Sequence, residues 1–156
     1  MGFGEAIRTC LSKYATRSGR APRSEYWYWL LFVIIATLVG GIIAEATGVI
    51  VISNISGLVL LPPSLAVGVR RLHDLDCSGR WYLLGLVPWI CPIALFVEDL
   101  VVGYVGRGFI IIIYVLVSLA ISIVLTVWAC TRGTLGPNRY GPDPLADAIS
   151  AVSAPS

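Results

Sequence analysis

At 156 residues, with 57% hydrophobic and 13% charged side chains and a mean hydropathy of +0.85, the chain departs from soluble domains, which carry about 45–50% apolar and about 25% charged residues. That balance excludes intrinsic disorder, a disulfide-stapled scaffold and a large soluble enzyme, and charge-free runs of 19, 24, 17 and 24 residues place the chain in a bilayer. A net charge of +2 is too small to point to nucleic acid, so what matters is where the charges fall.

The first predicted element covers the first fifteen residues. Phe3, Ile7, Cys10, Leu11 and Tyr14 recur there at helical spacing, with Glu5, Arg8, Ser12 and Lys13 on the other side. Such an amphipathic helix either lies on the inner membrane surface or packs against the cytoplasmic ends of a bundle, and both use the same face. A first span is predicted over 26–44, whose helical length of about 28 Å matches the hydrocarbon thickness. An outer turn near Glu45 to Val49 leads to a second span over 50–69, with a kink expected near Pro62 and Pro63. The third run, 81–97, is short and carries Pro88 and Pro92; the fourth, 108–131, ends before Arg132. The predicted fold is therefore all-α: one membrane domain, 1–144, of four transmembrane helices with an N-terminal interfacial helix. The small, polar tail 145–156 is expected to be disordered.

Orientation follows from the connections, because cytoplasmic loops carry the excess of Lys and Arg. With four spans, Arg8, Lys13, Arg17, Arg20, Arg23, Arg70, Arg71, Arg80, Arg132 and Arg139 lie on one side and Arg107 alone on the other, which puts both termini in the cytoplasm. Tyr26 to Trp29, Trp81, Tyr82 and Trp128 fall at the same interface, where amphipathic rings settle. Two alternatives stand beside this topology. Ala44, Glu45 and Ala46 resemble a signal-peptidase site, although the preceding apolar run exceeds the usual length of about 7–15 residues. The third run could also re-enter on the side it left, putting the tail outside.

Cys10, Cys77, Cys91 and Cys130 form no C-x-x-C pair and read as free thiols acting as small hydrophobes. Three unusual segments border the apolar runs: Gly19 to Trp27 (GRAPRSEYW), Arg70 to Gly79 (RRLHDLDCSG) and Gly136 to Pro144 (GPNRYGPDP). With these three ordered motifs the chain resembles the DUF805 family of small bacterial inner-membrane proteins, from about the N-terminal helix to Pro144. The resemblance implies a location in the bacterial cytoplasmic membrane and carries no catalytic residues with it. Arg80 departs from the family pattern, in which an aromatic residue often follows Ser-Gly.

On a helix continuing from the second span, Arg70, His73 and Asp74 stand at i, i+3 and i+4, so Arg70 and Asp74 can pair along one face. A structural ion-pair latch of Glu25, His73, Asp74 and Asp143 against the arginines is the simplest reading. Because arginines outnumber acids, Arg20, Arg23, Arg70, Arg71 and Arg139 form a second candidate: a site for anionic lipid head groups, since the planar guanidinium suits phosphate. A partner protein or a second copy of the chain is the other class of occupant. No metal site, cofactor or catalytic residue is expected, because His73 is the lone histidine and its neighbours Asp74, Asp76 and Cys77 match no standard zinc spacing. A small channel or transporter subunit is the competing function, weakened by the absence of charge within the proposed spans.

Overall fold

The computed structural model describes residues 1–49, 51–86 and 107–146. Four α-helices are described: α1 (Phe3–Ser12), α2 (Arg23–Thr47), α3 (Val51–Asp74) and α4 (Arg107–Cys130), with a 3₁₀ helix over Gly79–Leu86 between α3 and α4. The described residues contain no strand, only an isolated bridge between Asn138 and Gly141. Pro22, in extended conformation, precedes α2, and Gly48 at φ +69° ends it in the left-handed turn that a residue without Cβ adopts at no steric cost.

Helices α2 and α3 form an antiparallel pair. Trp29 of α2 is buried and donates its indole N–H to Ser64 Oγ at 3.0 Å, while Ser64 donates in turn to Leu60 O at 2.6 Å within α3. Helix α1 completes this core: Cys10, Ala21, Trp29 and Val67 are buried together, with Ile7, Phe32, Val33 and Leu60 packed around them. The apolar face expected of α1 is thus split. Ala6 and Cys10 are buried, whereas Phe3, Leu11 and Tyr14 remain exposed.

Pro62 and Pro63 sit inside α3 and have no N–H for the carbonyls four residues back. One of those carbonyls, on Val59, accepts the hydroxyl of Tyr14 from beyond the end of α1. The proline pair therefore leaves a backbone acceptor that the N-terminal segment fills.

The third predicted span begins in a tighter coil than an α-helix. Residues 81–86 belong to the 3₁₀ helix, and the remainder of that run lies outside the described residues. Close side-chain packing holds this tighter coil: a Cβ on Gly68 would fall 2.0 Å from the Tyr82 ring, and Trp81 meets Trp128 of α4 edge-on at 6.4 Å between centroids. Of the tail expected from Leu145, the first two residues are described, with Ala146 N–H turning back onto Asp143 O at 3.2 Å. The rest of the tail lies outside the described residues.

Two helices among the described residues, Arg23–Thr47 and Ile111–Cys130, are long and apolar enough to cross a membrane. Leu31, Ile35, Leu38 and Ile42 of α2, and Ile112, Leu116, Leu119 and Ile123 of α4, are exposed. Contiguous bare apolar surface of this extent marks a membrane or protein contact.

Candidate functional site

The three motifs meet at one end of the helices. Arg20 and Ala21 precede α2, Glu25 occupies its first turn, Arg70 to Asp74 form the last turn of α3, and Thr131 to Asp143 follow α4. Arg20, Glu25, Arg70, Arg71 and Asp74 are all buried there, at 0–7% exposure. Buried charges persist only when paired and hydrogen-bonded.

Asp74 is the hub. Arg20 Nε donates to its Oδ1 at 2.9 Å and Arg71 Nη1 donates to its Oδ2. Its backbone carbonyl accepts Thr134 N–H at 2.8 Å and Thr134 Oγ1 at 3.1 Å. The rest of the Arg20 fork donates to the carbonyls of Gly136 and Thr134, and Arg71 Nη2 donates to the carbonyl of Thr131. Gly133 is required by close approach: a Cβ there would fall 2.0 Å from Asp74 Oδ2.

Glu25 makes the second centre. Arg70 Nη1 donates to Glu25 Oε1 at 2.6 Å, and Cys10 Sγ donates to the same oxygen at 3.7 Å. Burial, with the Glu25 charge second, pushes the Cys10 thiol up to about 12, so it stays protonated as a donor. The expected Arg70–Asp74 pair is therefore corrected: Arg70 pairs with Glu25. On a helix Asp74 stands angularly between Arg70 and Arg71. Arg70 turns to α2, where the buried Glu25 carboxylate has no other ion-pair partner among the described residues, and leaves Asp74 to Arg71 and Arg20.

Among the described residues, His73 and Asp143 join the cap through backbone groups and make no ion pair. His73 Nδ1 lies 3.2 Å from Gly19 O, and its ring stacks on Tyr140 at 3.9 Å and 3°. Burial, assisted by the charge of Arg139 and opposed by Gly19, holds the imidazole below its ordinary range. Asp143 accepts the N–H groups of Leu145 and Gly136 at 2.9 and 3.0 Å, and these bonds, with Leu145 leading, depress its pKa. Asn138 closes the third motif onto the second by donating to His73 O at 2.9 Å.

Of the arginines first considered for anion binding, Arg20, Arg70 and Arg71 are buried in these contacts, and Arg139 is exposed but pairs with Asp76 at 3.0 Å. Arg23 is exposed and makes no hydrogen bond or ion pair among the described residues. Arg132, read from the sequence as a cytoplasmic charge at the end of a span and not as part of the anion site, is likewise exposed without a hydrogen bond or ion pair among the described residues, though its charge helps lower the Asp143 pKa. The signal for it was its position just past the end of α4, beside the motif that folds back. Among the described residues no three ligand-type side chains converge as a metal site would require.

The family model described as "Protein of unknown function (DUF805)" matches residues 14–142. The chain belongs to this family. It is 36% identical over 140 residues to Inner membrane protein YhaH of Escherichia coli (strain K12), covering 86% of this chain and 91% of the relative. Inner membrane protein YhaI of the same organism is 37% identical over 139 residues, covering 86% and 90%. A further relative there, Uncharacterized protein YiiR, is 31% identical over 126 residues, covering 80% and 83%. No solved structure matches. The apolar helices and these relatives together make this a membrane protein of a family whose function is unknown. The family match spans all three motifs but the last two residues of the third, so Arg20, Glu25, Arg70, Arg71 and Asp74 lie inside the family's own boundaries, whereas Cys10 and Asp143 lie outside them.

Proposed function

We propose that the chain is a non-enzymatic, multi-pass protein of the bacterial cytoplasmic membrane whose arginine-rich cap faces the cytoplasm and receives anionic lipid head groups. The observation that carries this reading is the surplus of positive charge where Arg23 and Arg132 stand exposed, without a hydrogen bond or ion pair among the described residues, at the end of helices whose flanks are bare and apolar. Juxtamembrane cations each gain about 1 kcal/mol near an anionic leaflet.

Four crossings with both termini inside are supported by two features. The arginines of all three motifs gather at one end of α2, α3 and α4, whereas Glu45 sits near the far end of α2. Gly85 lies near Leu125, while α4 begins at Arg107, a helical rise of about 27 Å away. The chain between Leu86 and Arg107 has that distance to cover, which favours a full crossing over re-entry. Helix α1 fits an interfacial position, since it keeps Phe3 and Leu11 exposed beside the membrane-level core. The non-enzymatic reading is supported by the commitment of His73 to Gly19 O and the Tyr140 ring.

The test is the composition of lipid that co-purifies with the protein from bacterial membranes in mild detergent. Enrichment of anionic over zwitterionic lipid relative to the bulk membrane, diminished by high salt, is the expected result. Bulk composition around the protein would contradict the reading.

A further inference from the structure

Arg23, Ser24, Arg71, Arg132, Asp74 and Asp143 line a cleft of about 370 Å³ at the start of α2. Its hydrogen-bond inventory is lopsided. Both carboxylates are occupied: Asp74 by Arg20 and Arg71, Asp143 by the N–H groups of Gly136 and Leu145. The donors are in surplus. Arg23 and Arg132 are exposed and make no hydrogen bond or ion pair among the described residues, and Arg132 acts on Asp143 only through its charge. The Nε of the buried Arg71 carries no hydrogen bond among the described residues. No side chain caps α2, so the first-turn N–H groups of Arg23 and Ser24 have no acceptor within the helix either.

Charge is lopsided in the same sense. Arg23, Arg71 and Arg132 in the lining, with Arg20 behind Asp74, outnumber Asp74 and Asp143 by two positive charges, and the N-terminus of α2 adds roughly half a charge more. The missing component is a group that only accepts hydrogen bonds and carries two negative charges. A phosphodiester, with one charge and two free oxygens, supplies half of that. A terminal phosphate supplies three oxygens and about 1.5 to 2 charges at pH 7.

We propose that this cleft binds a phosphate monoester group, held between Arg23, Arg132 and the uncapped first turn of α2. As a lipid head group it deepens the preceding reading and rests on it; a soluble phosphate would use the same chemistry without the membrane. Guanidinium forks and a helix N-terminus are the standard partners of such an anion.

The test is native mass spectrometry of the full chain released from phosphatidylcholine nanodiscs doped with equal amounts of phosphatidic acid and phosphatidylglycerol. A parallel arm titrates detergent-solubilised protein with inorganic phosphate. Arg23→Gln and Arg132→Gln are compared with Arg139→Gln, and thermal melts establish that each variant is folded; the first two residues make no hydrogen bond or ion pair among the described residues. The expected result is retention of phosphatidic acid over phosphatidylglycerol by about tenfold, the equivalent of about 1.4 kcal/mol, lost in Arg23→Gln and Arg132→Gln and kept in Arg139→Gln. Binding of inorganic phosphate alone, lost in the same two variants, also supports the cleft and overturns the lipid reading. Equal retention of the two lipids, indifferent to the variants, overturns the cleft while leaving general attraction to anionic lipid in place. Absence of all binding overturns both.

Discussion

Arg20 Nε stands 2.9 Å from Asp74 Oδ1 across 54 residues of chain, and the other nitrogens of the same guanidinium donate to the carbonyls of Thr134 and Gly136. One side chain thus joins all three motifs. A guanidinium is suited to this because its donors lie in a fixed planar fork. The motifs are short because each supplies one piece of a single buried polar cluster.

The choice of partner by Arg70 is measurable. Arg70→Ala and Glu25→Ala should each lower stability by about 3–5 kcal/mol, as expected when a buried pair loses one member. Their double mutant should recover more than 1 kcal/mol relative to the sum, by about the coupling seen for contacting residues. The cycle between Arg70 and Asp74 should be much closer to additive. Equal coupling in both cycles would contradict the assignment.

Gly133→Ala should act like damage to Asp74, because its methyl group would occupy the place of the Asp74 carboxylate. A loss of about 1–3 kcal/mol is expected from the overpacking. In an Asp74→Ala background the same substitution should cost far less, and a thermal melt of the four proteins checks this.

His73 gives the cap a pH dependence of known sign. Its folded-state pKa lies below the ordinary value of about 6.5, chiefly through burial. Stability from this residue is therefore complete above that value. It is lost as pH falls, because the unfolded chain then takes up a proton that the folded one resists. The melting temperature should drop between about pH 7 and pH 5 by more in the wild type than in His73→Gln. Parallel curves would show that His73 does not supply the slope.

Tyr14 and Pro63 should be coupled through Val59. Tyr14→Phe removes the donor to the Val59 carbonyl and should cost about 0.5–1.5 kcal/mol. In a Pro63→Ala background, position 63 regains an N–H that can reach that carbonyl within the helix, so the same Tyr14→Phe substitution should have little effect. Chemical or detergent-induced unfolding of the four proteins measures both values.

Much of this architecture is legible in the sequence. Charge-free runs announce the bilayer, and the boundaries expected for 26–44 and 108–131 fall within α2 and, to within a residue, α4. The motifs are visible as charge where apolar runs end. Which carboxylate each arginine takes is not legible, because Asp74 lies within reach of both Arg70 and Arg71 on one helix turn. Glu25 on another helix decides the matter. The 3₁₀ geometry of Gly79–Leu86 is hidden for a related reason: its aromatic residues read as an interfacial belt, whereas packing of Tyr82 on Gly68 depends on two segments meeting. Tyr14 to Val59 spans 45 residues, and only the missing proline N–H hints that such a donor is needed.

The most direct measurement is a double-mutant cycle on Arg20→Gln and Asp74→Asn, read as unfolding free energy in detergent micelles. If the three motifs form one polar cluster, each single change should destabilise the protein and the coupling should reach about 2 kcal/mol, within the range for partners in one network. Additive effects would mean that Arg20 and Asp74 act independently, and would contradict the cap as the element that holds the helix ends together.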